Sequence, residues 1–107
     1  MKLNVLERLT CLNLLPEEGN IATMRMRIKL IEKLGLTAEE YEEYEVHPGE
    51  TAGTLQWNEK GAEEIEIDLK GPEIAAIAKN LKKLDQEEKL TQMHLTLYDK
   101  FVGDEEN

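Results

Sequence analysis

Cysteine is almost missing from this sequence, and its one occurrence, Cys11, excludes a disulfide within the chain. Aromatic side chains are scarce too: Phe, Trp and Tyr make up 5% of residues, so Leu, Ile, Met and Ala must fill most of any core. No apolar run approaches the ~20 residues that a membrane-spanning helix needs, and no secretory apolar segment opens the chain. The expectation is a cytoplasmic protein without a membrane partner. Positive charge is also short. Thirteen basic residues face twenty-three acidic ones, a formal net charge of −10 at pH 7. Nucleic-acid binding draws much of its free energy from protein cations displacing phosphate counterions, so this balance argues against direct contact with DNA or RNA. It equally disfavours anionic membranes and suits a basic protein partner. Finally, the sequence lacks a Gly-rich phosphate loop, a Walker lysine, a Cys-x-x-Cys pair and a His-Glu-x-x-His helix. No cofactor and no metal are therefore expected.

What is present is an ordinary globular mixture. The 107 residues are 40% apolar and 34% charged, enough for one domain with its own core and too few for two. We expect that domain over 1–103, followed by a frayed acidic tail at 104–107. Val5, Leu6, Leu9 and Leu12 share a helical face, and Pro16 stops that helix. Asn20 can cap a second helix, whose apolar face is Ile21, Met24, Ile28 and Ile31, with Gly35 placed for a left-handed end. Thr37 and Glu40 have the spacing of a capping box for a short third helix, which His47-Pro48-Gly49 cannot continue.

Beyond Pro48 the period becomes two. Leu55 and Trp57 alternate with Thr54 and Gln56, and Ile65, Ile67 and Leu69 alternate with Glu64, Glu66 and Asp68. Asn58 to Gly61 has the composition of a turn with Gly61 at positive φ, which predicts an antiparallel hairpin with one apolar and one acidic face. Gly71-Pro72-Glu73 opens a fourth helix, with Ile74, Ile77, Ala78, Leu81 and Leu84 as its stripe. Asp85 to Lys89 reads equally as loop or helix. Thr91 starts a last helix, bearing Leu97, Tyr98 and Phe101 and ending at Gly103. The expected class is α+β, with five helices around one antiparallel β-hairpin in the order α-α-α-β-β-α-α. A winged-helix domain shares that order, but here the third helix is acidic and phosphates would repel it.

The acids are the most conspicuous candidates for function. Glu39, Glu40, Glu42, Glu43 and Glu45 crowd the third helix, and Glu64, Glu66 and Asp68 line the second strand. Together they form a candidate face for a partner protein, set against the plainer reading of solvated surface. Arg25, Lys29 and Lys33 make a basic stripe on the second helix that a folded-back third helix would partly neutralise. His47, flanked by Glu45 and Glu50, and His94, near Tyr98 and Asp99, are the groups able to exchange protons near neutral pH. Neither has a second histidine or cysteine at metal-ligand spacing. Cys11 reads as a buried structural thiol, and Trp57 as core material first.

The opening Met1 to Leu9, with Leu12-Asn13 and Leu15-Pro16-Glu17-Glu18-Gly19-Asn20, resembles a group of short phage and prophage proteins of unassigned function. The ending, with Leu90-Thr91, His94, Leu97-Tyr98 and Phe101, is similar in kind. The resemblance implies a phage-like accessory factor acting on host or virion proteins, and it transfers no site residues. The expected function is a non-enzymatic protein-interaction module that uses the acidic face or exposed Met and Leu residues on its helices, open to self-association as a homo-oligomer. An acidic inhibitor that mimics DNA, and a small hydrolase using His47 or His94, are the alternatives.

Overall fold

Asn4 sets the first turn. Its side chain accepts from the Glu7 N–H at 2.8 Å, while Glu7 Oε1 accepts from the Asn4 N–H at 3.0 Å, so each end of the box satisfies an otherwise orphaned donor. In the computed structural model, which describes residues 1–103, this box separates β1 (Lys2–Leu3) from α1 (Val5–Leu12). Next come α2 (Ile21–Leu34), α3 (Ala38–Glu43), β2 (His47–Pro48) and β3 (Leu55–Gln56). A 3₁₀ turn at Glu59–Ala62 leads to β4 (Ile65–Glu66) and α4 (Gly71–Gln86). A second 3₁₀ turn, Gln92–His94, opens α5 (Leu95–Phe101). The class is α+β; the tail at 104–107 lies outside the described residues.

The strands are not paired as their alternation suggested. β1 lies antiparallel to β4, with Lys2 opposite Glu66 and Leu3 opposite Ile65. β2 lies antiparallel to β3, with His47 opposite Gln56. The expected hairpin between residues 54–57 and 64–69 is therefore absent, and the antiparallel hairpin that follows α3 is the shorter β2–β3 pair. The reason lies at Asn58. Its Oδ1 accepts from the Lys60 N–H at 3.1 Å and caps a 3₁₀ turn instead of a hairpin reversal. Gly61 is buried inside that turn and does not adopt positive φ; a Cβ there would be driven into the Trp57 indole. Its absent side chain makes room for a ring.

The core joins every helix except α3. Leu3, Cys11, Leu14, Leu15, Leu30, Leu34, Ile67, Ile77, Leu81, Leu97, Phe101 and Val102 form one buried cluster. Of α1, Val5 is buried and Leu6 is exposed. On α2 the inward residues are Leu30 and Leu34, with Met26 packed alongside. The face chosen from the sequence, Ile21, Met24, Ile28 and Ile31, points the other way. Tyr44 is buried beyond the end of α3, while Tyr41 is exposed.

Helix ends follow local hydrogen bonding more than glycine placement. Gly35 takes φ −65° and ψ 153°, not the left-handed cap expected of it. The carbonyls of Leu34 and Gly35 accept instead from Arg8, at 3.0 and 2.7 Å. A side chain supplies there what a left-handed turn would otherwise have supplied. Conversely, α3 and α4 end on left-handed glutamates, Glu45 at φ 53° and Glu88 at φ 55°. Each is followed by an N–H that reaches five residues back, Val46 to Tyr41 and Lys89 to Leu84. Residues 85–89 are thus helix to Gln86 and then a tight turn.

Candidate interaction surface

Four of the eight predicted acids are held by cations of the same chain. Glu40 receives two hydrogen bonds from the Arg8 guanidinium, at 2.7 and 3.0 Å, and closes the capping box with Thr37. Arg8 is buried, and its hydrogen bond holds the Glu40 carboxyl below the usual glutamate range. Glu64 pairs with Lys100, Glu66 with the amino group of Met1, and Asp68 with Lys70 at 3.2 Å. The first three pairs join distant parts of the chain, whereas Asp68 and Lys70 are exposed neighbours two residues apart. Glu39, Glu42, Glu43 and Glu45 are exposed, and Glu45 accepts from Asn58 Nδ2 at 2.9 Å. Glu42, Glu43 and Glu45 line a shallow notch of about 470 Å³ with Asn58, Glu59 and Lys60.

Two further ion pairs brace the helices. Lys100 on α5 reaches Glu7 on α1 at 2.8 Å as well as Glu64 and the carbonyl of Lys2. Burial would raise the Glu7 pKa. The Lys100 ammonium, the Asn4 N–H and the Thr96 side chain outweigh it, leaving Glu7 below the ordinary value. Lys33 on α2 pairs with buried Glu73 on α4 at 2.7 Å. The expected neutralisation of α2 by α3 therefore does not occur: Lys33 turns to α4, and Arg25 and Lys29 are exposed with no ion pair to α3 among the described residues.

The proton-exchanging candidates are occupied locally. His47 Nδ1 bonds the Glu45 carbonyl at 2.7 Å, and His94 Nδ1 accepts from the Thr91 N–H at 2.9 Å. The second bond fixes the His94 ring as a cap on its own turn. Cys11 is fully buried, and burial, helped by the nearby Glu7 charge, pushes its thiol up to about 12. A thiol held protonated at neutral pH is a poor nucleophile. Among the described residues, no three His, Cys, Asp or Glu side chains are grouped to hold a metal ion. No helix there is long and apolar enough to cross a membrane. A broad open groove of about 1640 Å³ runs between the 13–20 loop, α4 and the end of α5, with Ile74, Ala78 and Phe101 among its walls. Asn80 Nδ2 donates to the Leu14 carbonyl in its wall.

The outer face of α2 is the apolar stripe expected from the sequence, turned to solvent and not to the core. Ile21 is 67% exposed, Ile28 58% and Ile31 43%, with Met24 half-buried between them. Isolated exposed apolar residues are common, but three branched side chains and a methionine in one stripe of one helix are not scattered. Arg25, Lys29 and Glu32 border the stripe on one side, all exposed. Arg27, on the other side, is turned to the Pro16 carbonyl at 3.1 Å. The available signal was that α2 carries two apolar stripes, one through Met26, Leu30 and Leu34 and one through Ile21, Met24, Ile28 and Ile31. A helix that is apolar on both sides asks to be covered on both. Comparison of the chain with protein-family models, with curated proteins and with solved structures finds no match in any of the three.

Proposed function

We propose that this chain is a non-enzymatic protein-interaction module whose contact surface is the outer face of α2. The observation that carries the reading is the exposure of Ile21, Ile28 and Ile31 on a helix already anchored to the core by Leu30 and Leu34. Burying such a stripe against a partner recovers roughly 25 cal/mol for each Å² of apolar surface removed from water. The acidic face is the weaker candidate, because Glu40, Glu64, Glu66 and Asp68 already have cationic partners within the fold. A hydrolase reading finds little support in histidines that cap or brace their own backbone.

The test is site-specific photo-crosslinking in the cell of origin. Benzoylphenylalanine at position 28 should give discrete protein adducts, and the same probe at position 42, on the acidic face, should give none. Adducts from position 42 with none from position 28 would move the contact surface to α3 and overturn the reading.

A further inference from the structure

We infer that the occupant of α2's outer face is a second copy of this chain, docked antiparallel about a two-fold axis beside Ile28. The inference rests on the reading of α2 as the contact surface and names its partner. A two-fold interface must be complementary to itself: whatever residue i meets, the reciprocal contact is repeated on the other side. The α2 face has that property in both its apolar and its charged parts.

Met24 and Ile31 stand on either side of Ile28, four residues before it and three after. Arg25 and Glu32 stand likewise, three before and four after, on one border of the stripe. Both pairs are therefore centred within a residue of Ile28. With the second helix reversed about that point, Ile28 meets Ile28 of the second copy. Met24 then meets Ile31, and Arg25 meets Glu32, each contact made twice. Ile21 falls opposite Gly35, the cap residue of the helix, which has no side chain to oppose it.

Within one chain Arg25 and Glu32 cannot satisfy each other, since seven residues of helix separate them by roughly 10 Å along the axis. Neither has an ion-pair partner among the described residues. The other cations of the helix do not disturb the pairing. Arg27 is bonded to Pro16 and Lys33 to Glu73, and Lys29 lies on the side of Arg25 and Glu32 away from the stripe. On a chain of net charge −10, α2 is a segment of net positive charge, with four cations and one carboxylate. The acids that give each molecule its net negative charge thus lie mostly off this helix, and in the pairing Arg25 and Glu32 offset each other.

The register makes the test specific. Light scattering and sedimentation equilibrium of the full chain should show a concentration-dependent dimer. Ile28→Asp should be monomeric at the same concentrations with an unchanged circular dichroism spectrum. Arg25→Glu and Glu32→Arg should each weaken the dimer by about tenfold or more, because each sets like charges opposite one another twice. The double variant Arg25→Glu/Glu32→Arg should recover wild-type affinity. An equimolar mixture of the two single variants should form heterodimers tighter than either homodimer, since both crossed pairs are then complementary. A strict monomer, a dimer indifferent to Ile28→Asp, or a mixture with no preference for heterodimers would each overturn the pairing. If the isolated chain is monomeric while position 28 still crosslinks to a different protein, the contact surface stands and self-pairing alone fails.

Discussion

Arg8 carries the charge that would be costliest to strand. Its guanidinium is 3% exposed and serves four acceptor contacts, two on Glu40 and one each on the carbonyls of Leu34 and Gly35. Arg8→Met takes the cation from a half-buried carboxylate, which keeps only the Thr37 N–H, and the donors from two helix-end carbonyls, and should cost ~3–5 kcal/mol in urea unfolding followed by Trp57 fluorescence. Arg8→Lys keeps the charge but cannot span the fork, so a loss of about 2 kcal/mol is expected. An Arg8→Met variant within 1 kcal/mol of wild type would refute the hub. Cys11 offers a second residue-scale test. With no exposure and its pKa pushed up to about 12, it should react with a disulfide reagent only at the rate of global unfolding. Thr10 is buried with its hydroxyl unpartnered among the described residues, so Thr10→Val should be neutral or stabilise by up to about 1 kcal/mol.

At the scale of elements, capping at helix N-termini was legible, while the C-terminal ends and strand pairing were not. Asn20 accepts from the Thr23 N–H at 2.9 Å, and Thr37 with Glu40 forms a complete box, because such bonds lie within four residues and depend on nothing distant. The strands have two residues each, and β1 pairs with a segment more than sixty residues away. Two residues are too few for alternation to show whether a neighbour or the far end of the chain will be the partner. The apolar period of α2 was legible as helix but ambiguous as to face, since both of its stripes satisfy the same spacing. The inward face of α2 was misread for that reason. Turn geometry yields a further prediction. Glu88 sits at φ 55°, a conformation costly for a residue with a Cβ, so Glu88→Gly should stabilise by about 0.5–1 kcal/mol in thermal unfolding. Gly61→Ala, by contrast, should displace the Trp57 ring, cost ~1–3 kcal/mol and shift the tryptophan emission.

For the whole molecule, stability should depend on acid more steeply than composition alone implies. Glu7, Glu40 and Glu73 all titrate below the ordinary glutamate value of about 4.3. Arg8 does this for Glu40. For Glu7 and Glu73, burial pushes upward but is outweighed by Lys100 and Lys33 with neighbouring N–H donors. A carboxyl whose folded pKa is depressed binds fewer protons than its unfolded form. Its stabilisation is therefore complete above about pH 4.5 and is lost as pH falls through the folded values. The melting temperature should be level from pH 8 to about pH 5 and fall steeply below. Glu73→Gln should lower the plateau and flatten the acid limb, and an unchanged limb would count against the Lys33 pair.

The clasp between the two ends of the chain also constrains how the protein can be made. Leu3 shares a cluster with Leu97, Phe101 and Val102, and Lys100 donates to the carbonyl of Lys2. During synthesis, α1 through α4 emerge with one wall of their interior still unbuilt. A nascent polypeptide arrested before residue 97 should therefore remain protease-sensitive however long it waits, and acquire resistance only once α5 has cleared the exit tunnel.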